Sequence, residues 1–176
     1  MLKALAFSGL LLVSSPDIGP SEEMFDELKT APSEEEANDI ALDIWASWME
    51  SGSHAADLVM ERAVQAQAFG DLDHARALYD RVIAIQPDYA EAWNRRATVF
   101  LAQENYPEAL RDVNEALRLE PRHFGAWGGL GAELEGLGSK DEALEAYRKA
   151  LEIYPLFPSA QRGINRIRRE QEGRPV

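Results

Sequence analysis

The chain has 176 residues, of which 45% are hydrophobic, enough for one continuous core in a single domain. It contains no cysteine, which excludes a disulfide framework and thiolate chemistry. Its net charge of −13 argues against nucleic acid as a partner, because affinity for nucleic acid depends on neutralising phosphates.

Residues 1–15 form a segment of their own. Lys3 precedes an apolar run at residues 4–13, and Ser14, Ser15 and Pro16 follow, with no Ala-x-Ala cleavage triplet. This order is typical of a secretory signal, and ten apolar residues are too few for a stable membrane span. We therefore predict export to the periplasm. The alternative is an apolar N-terminal helix of a cytoplasmic protein.

Residues 16–55 are acidic and predict helices. Between residues 17 and 55 there are 11 Asp or Glu residues against Lys29 alone. Ser33 followed by Glu36 is a capping-box helix start. Upstream, Met24, Phe25 and Leu28 predict a shorter helix.

Pro87, Pro121 and Pro155 lie 34 residues apart and close three similar segments, 56–89, 90–123 and 124–157. Within each, bulky residues recur three, four or seven positions apart, which predicts two amphipathic helices. Small residues occur where these two helices would cross closely: Ala63, Ala97 and Gly131 in the first helix, and Ala75, Ala109 and Ala143 in the second.

This 34-residue pattern, with Trp93 aligned to Trp127 and Ala109 to Ala143, resembles the tetratricopeptide repeat (TPR) family. The resemblance implies an all-α fold, a right-handed α-solenoid of about three TPR helix pairs. Such a solenoid covers its last repeat with a helix that has one polar face. Residues 158–176 predict this capping helix and a tail, with Ile164 on the inner side.

The pattern also extends weakly upstream. Ala41 and Trp45 lie one period before Ala75 and Tyr79, so we predict a degenerate repeat within residues 16–55. Trp48 occupies a position where the later repeats have only Val or Ala. This unit therefore cannot pack as they do.

The resemblance also implies a concave groove that binds a partner segment and is lined by the first helix of each repeat. Carried over by register, the groove residues are Asp57, Met60, Val64, Gln67, Glu91, Asn94, Thr98, Leu101, Gly125, Gly128, Ala132 and Glu135. The best-known groove of this kind binds a peptide C-terminal carboxylate with lysines and asparagines.

The residues of that carboxylate clamp are missing here. Met60 and Val64 stand where the clamp needs a lysine and an asparagine, and Gly125 and Gly129 stand where it needs basic residues. Only Arg95 has the required charge. The sequence therefore disfavours an adaptor for chaperone tails.

Glycines are unusually frequent in the helix predicted at residues 122–136. Gly125, Gly128, Gly129 and Gly131 lie in its interior, where each costs about 1 kcal/mol relative to alanine. Helix crossing accounts for Gly131. The others indicate either close approach of another backbone, from a partner or from residues 17–30, or tolerance within a well-packed repeat.

No catalytic or metal-binding pattern is present. The three histidines, His54, His74 and His123, do not share a helix face at ligand spacing, and we find no HExxH motif, phosphate loop or nucleophile elbow. His123 is interpreted as a capping or packing residue. We expect no catalytic residues, no metal and no cofactor, so the protein is not expected to be an enzyme.

Over nearly its whole length the chain also resembles small exported TPR proteins of Gram-negative, mainly alphaproteobacterial, origin. The resemblance rests on the signal-like start, the acidic helix with Trp45 and Trp48, and three repeats. This second resemblance supports the fold and export but implies no activity. Together with the TPR groove, the sequence predicts a noncatalytic protein-interaction module, periplasmic, assisting envelope protein assembly, with a monomer favoured. The alternatives are a cytoplasmic scaffold and a protein that self-assembles through its acidic and basic ends.

Overall fold

The computed structural model describes residues 19–173, and these form helices joined by short turns. Their nine helices are α1 (Glu22–Thr30), α2 (Glu34–Trp48), α3 (His54–Ala68), α4 (Leu72–Ile85), α5 (Ala90–Ala102), α6 (Tyr106–Leu119), α7 (Phe124–Gly136), α8 (Lys140–Ile153) and α9 (Pro158–Gln171). The segment predicted to be a secretory signal, residues 1–15, lies outside the described part.

Side-chain caps define several helix starts. The Ser33 hydroxyl accepts a hydrogen bond from the Glu36 backbone N–H at 3.2 Å, as the capping-box pattern predicts. Ser21 and Asp71 cap α1 and α4 in the same way. At α7 the cap is His123, whose Nδ1 accepts from the Ala126 N–H at 3.1 Å. The interpretation of His123 as a capping residue is therefore confirmed.

Three antiparallel pairs, α3–α4, α5–α6 and α7–α8, make up the body of the molecule. The second helix of each pair crosses the first at a fully buried alanine, namely Ala75, Ala109 and Ala143. Gly131 is needed at its crossing, because an added Cβ would lie 2.5 Å from the Tyr147 ring. The predicted all-α TPR solenoid is confirmed.

The same hydrogen bond links each pair to the next. The indole Nε1 of Trp93 donates to the Pro87 carbonyl at 2.8 Å, and Trp127 donates to Pro121 at 2.9 Å. In α9, Gln161 Nε2 donates to the Pro155 carbonyl at 3.1 Å. The capping helix thus begins like the first helix of a further repeat. It buries Ile164 and Ile167 on α8.

The N-terminal hairpin, α1 and α2, packs in a different place from a repeat in register. A degenerate repeat would stack α2 on α3, but the buried residues of α2 belong to a cluster with Phe124 of α7 and Tyr154 at the end of α8. The physical reason is Trp48. An indole at a position filled elsewhere by Val or Ala would hold α2 away from α3, whereas here it is buried in that cluster.

Candidate partner-binding groove

The first helices of the pairs lie on the inner side of the stack, where α5 contacts α7 and α7 contacts α9. We call the inner surface of α3, α5 and α7 the groove face. The residues that the sequence assigns to a binding groove are on these helices. These residues differ in their exposure to solvent and therefore in whether a partner could contact them.

A buried polar network occupies the middle of the groove face. Glu91 is 1% exposed and accepts hydrogen bonds from Asn94 Nδ2 at 2.9 Å, Arg95 Nε at 2.6 Å and His123 Nε2 at 2.8 Å. Burial alone would raise the pKa of Glu91, but the hydrogen bond from His123 and the charge of Arg95 outweigh burial and lower it. Glu91 is therefore a structural anion that joins α5 to the start of α7.

A second network connects α3 to α5. Gln67 Nε2 donates to the Thr98 hydroxyl at 2.9 Å, and the Tyr79 hydroxyl donates to Gln67 Oε1 at 2.6 Å. Gln67 and Thr98 are half-buried, as are Val64 and Leu101 beside them in the register. These four residues give the N-terminal half of the groove face a mixed polar and apolar surface.

Glu135 connects the C-terminal end of the groove face to the cap. It accepts two hydrogen bonds from Arg166, at 2.5 and 2.6 Å, and one from the Tyr147 hydroxyl at 2.9 Å. Burial opposes ionisation of Glu135, yet the Arg166 hydrogen bonds lower its pKa overall. One of the acidic residues predicted in the groove is thus neutralised by α9.

Two of the twelve predicted groove residues, both on α3, make contacts that stabilise the fold. Met60 is fully buried in the core between α3 and α4. Asp57 accepts hydrogen bonds from the Ser51 backbone N–H and hydroxyl, at 2.9 and 2.6 Å. Asp57 thereby secures the turn between α2 and α3 rather than facing open solvent alone.

The third part of the groove face is covered by α2. Trp45 lies over Gly125, where an added Cβ would lie 2.6 Å from the indole Cζ2 atom. The Trp45 ring also packs edge-on against His123 and Phe124, with centroids 5.3 and 5.6 Å apart. Gly125 is therefore the place where an approaching ring meets the backbone of α7.

Trp48 completes this contact one turn further along α2. Its indole stacks on the His123 imidazole, with centroids 3.9 Å apart and planes 11° apart. The Arg95 guanidinium lies 5.8 Å from the Trp45 ring centroid and donates to Met49 Sδ. The end of α2 thus rests on the buried network of Glu91.

Further contacts attach the hairpin of α1 and α2 to the repeats. Arg122 donates to Glu22 Oε1 at 2.7 Å and lies 4.3 Å from the Phe25 ring centroid. The Tyr154 hydroxyl donates to Asn38 Oδ1 at 2.7 Å. These contacts draw part of the acidic N-terminal segment against the repeats.

The glycines of α7 have separate roles. The residue that approaches Gly125 comes from α2 and not from the segment 17–30. Gly128 faces Phe157, whose Cε1 atom would lie 2.9 Å from an added Cβ. Around Gly129 an added Cβ would meet nothing within 4 Å. Of these glycines, Gly129 alone therefore leaves room for a side chain.

Sequence reasoning did not place Trp45, Trp48 and His123 in the groove. The signal that could have indicated it was Trp48 itself, since an indole at a Val or Ala position cannot serve the expected helix crossing. The sequence indicates that His123 is a capping or packing residue. Its second ring nitrogen, however, reaches Glu91 in the preceding repeat, a contact that only tertiary structure brings about.

No other chemistry is evident in the described residues. Across residues 19–173, no three His, Asp or Glu side chains are grouped so as to hold a metal ion. None of the helices in that stretch has the length and apolar character needed to cross a membrane. The groove face, with α2 upon it, is the candidate functional site.

Comparison with known proteins defines the class. A family profile described as tetratricopeptide repeat matches residues 60–113 and 94–156. The chain belongs to the tetratricopeptide repeat family. It is 36% identical over 152 residues to a TPR repeat-containing protein of Rhizobium etli, covering 86% of this chain and 74% of that one.

More distant relatives match a smaller part of this chain. Heat shock protein STI1 of Saccharomyces cerevisiae is 29% identical over 124 residues, which is 69% of this chain but 21% of STI1. Among solved structures, the Sgt2 TPR domain of Aspergillus fumigatus matches with a TM-score of 0.65 and 24% identity, covering 68% of this chain and 81% of that one. The first TPR domain of Spaghetti (RPAP3), solved with an HSP90 peptide, matches with a TM-score of 0.64 and 22% identity. The match covers 66% of this chain and 93% of that one. These structural likenesses show the fold.

Proposed function

We propose that the protein is a noncatalytic protein-interaction module whose groove face binds a segment of a partner protein. The observation that carries the proposal is the fit of α2, since a helix already rests on that surface with Trp45 over Gly125. A related fold that holds a peptide, the first TPR domain of RPAP3 with its HSP90 peptide, supports the same use. Of the twelve residues predicted by register, we propose that the eight half-buried ones meet the partner, whereas Met60, Glu91, Asn94 and Gly128 are buried in the fold.

We propose that the partner is not a peptide bound through its C-terminal carboxylate. In the repeat register, Met60, Val64, Gly125 and Gly129 stand where a carboxylate clamp needs polar or basic side chains, and Met60 is buried in the core. Arg95, the one suitable cation, is already paired with buried Glu91. The groove face is therefore proposed to recognise apolar and aromatic side chains of the partner.

The proposed setting is the periplasm, with a role in assembling envelope proteins. The signal-like residues 1–15 and the resemblance to exported alphaproteobacterial proteins support this setting. A cytoplasmic scaffold is the alternative. The test is to fuse residues 1–30 to a reporter that is active only outside the cytoplasm. A silent reporter, with the full-length protein in the cytosol, would favour the scaffold.

Partner binding is tested with the full chain carrying Gly129→Trp, which places an indole in open space on the groove face. We expect this variant to lose the envelope proteins captured by the unmodified chain while keeping its helical content. Glu145→Gln, on the exposed side of α8, is the matched control and should capture them unchanged. Equal capture by both variants would move the binding site off the groove face. Salt-sensitive oligomers would instead support self-assembly.

A further inference from the structure

We propose that α2 stands in for the partner, and that the partner is an amphipathic helix with two aromatic residues three positions apart, which displaces α2 from the groove face. This rests on the proposed function and specifies the partner of the same site. The juxtaposition that carries it is Trp45 over Gly125 beside Trp48 stacked on His123.

The docked face of α2 has the pattern of a helix bound in a groove. Its buried residues, Ala37, Ala41, Ile44 and Trp48, recur three or four positions apart, and Trp45 lies beside them. The opposite face is solvated and acidic, with Glu35, Asp39 and Asp43 exposed. An amphipathic helix laid in an apolar groove presents its anchors at this spacing.

The groove face is shaped for aromatic rings in particular. Gly125 has no side chain, so a ring can lie directly on the backbone of α7. His123 and Phe124 offer ring faces and edges around it. Arg95 and Arg122 lie 5.8 and 4.3 Å from ring centroids of the hairpin, within reach of a cation–π attraction. An aliphatic helix would satisfy fewer of these contacts.

The docking of α2 is imperfect, which makes replacement feasible. Trp48 Nε1 and Tyr89 Oη are buried and have no hydrogen-bond partner among the described residues. A buried polar group left without a partner destabilises the arrangement that buries it. Both residues line a cavity of about 260 Å³ at the end of α2, bordered by Ser51, Asp88 and Glu120. A partner helix that places a hydrogen-bond acceptor beside Tyr89 Oη would satisfy a buried group that α2 leaves unpaired.

The connection to α3 allows α2 to move while the repeats stay intact. Between α2 and α3 the chain turns at Gly52, which has a φ of 77°. Glycine adopts this conformation without strain, and the turn can keep it when α2 moves. Ser51 is tied to Asp57 of α3, so the change of direction falls before Ser51, at Met49 and Glu50, and the turn stays attached to α3.

The test uses the full-length chain and a fluorescently labelled synthetic peptide of residues 33–50 as the probe. In the unmodified chain α2 competes with the probe. In the full chain with Trp45→Ala and Trp48→Ala the groove face should be available, and we expect the probe to bind at least about tenfold more tightly by fluorescence anisotropy. A control peptide with both tryptophans replaced by alanine should not bind.

A second full-length variant keeps the inference testable if the double tryptophan variant misfolds. Asn38→Ala removes the acceptor of the Tyr154 hydroxyl, and Glu22→Gln removes the ion pair with Arg122, without changing a side chain of the buried cluster. It should bind the probe several-fold more tightly than the unmodified chain. If a variant with native helicity binds the probe no better than the unmodified chain, the inference is overturned. Loss of capture by Gly129→Trp would in that case still support the groove as a binding site, so the two failures can be told apart.

Discussion

Glu91 and His123, separated by almost one repeat, are joined by a 2.8 Å hydrogen bond inside the molecule. His123 Nδ1 caps α7, so its Nε2–H is the group that donates to Glu91. One side chain therefore starts a helix, satisfies a buried carboxylate and provides the surface on which Trp48 stacks. The stability of the repeats and the docking of α2 are coupled at this residue.

Replacing His123 tests that coupling. His123→Ala removes the cap of α7, worth about 1 kcal/mol, and leaves Glu91 with one fewer donor, at a further cost of about 1–3 kcal/mol. The free energy of unfolding from urea denaturation should fall accordingly. His74→Ala is the control, because that imidazole is 61% exposed. Similar urea concentrations at the unfolding midpoint for the two variants would contradict the structural role of His123.

Glu133 should make stability depend on pH. This side chain is 1% exposed, its Oε2 has no hydrogen-bond partner among the described residues, and burial followed by the nearby charge of Asp112 raises its pKa to about 8. Because the folded-state pKa lies above the unfolded one, the contribution of Glu133 to stability is complete below about pH 4.5 and is lost progressively as pH rises towards 8.

The matched variant for this prediction is Glu133→Gln, which resembles the protonated carboxyl. We expect the variant and the unmodified chain to have similar unfolding free energies near pH 5. Above pH 8 the variant should be more stable, by an amount on the order of a few kcal/mol. A difference that does not change between these pH values would mean that Glu133 titrates normally.

The repeat register predicts a steric limit at Ala143. This residue is fully buried where α8 crosses α7, so Ala143→Leu should overpack the crossing and cost about 1–3 kcal/mol. Glu145→Gln, two residues away and exposed, should change the unfolding free energy by less than about 0.5 kcal/mol. Equal midpoints in chemical denaturation would be inconsistent with this register.

The repeats could be predicted from sequence because their determinants are local and periodic. Ala109 and Ala143 identify the crossings, and the prolines at one-period intervals mark the ends of the pairs. The placement of α2 could not be predicted in this way. Ala41 and Trp45 fit the register of a repeat, and the choice of the groove face depends on Gly125 and His123, which are distant in sequence. Only Trp48 departs from the register and indicates another location.

Gly129 and Gly125 provide a paired test of the groove face. Gly129→Ala adds a methyl group to open space within a helix, so it should stabilise the protein by up to about 1 kcal/mol. Gly125→Ala adds the same group beneath Trp45 and should displace that ring. We therefore expect it to alter tryptophan fluorescence and to make the end of α2, just before the turn at Gly52, sensitive to limited proteolysis, while Gly129→Ala does neither. Identical fluorescence and cleavage patterns for the two variants would show that Trp45 does not rest on Gly125 in solution.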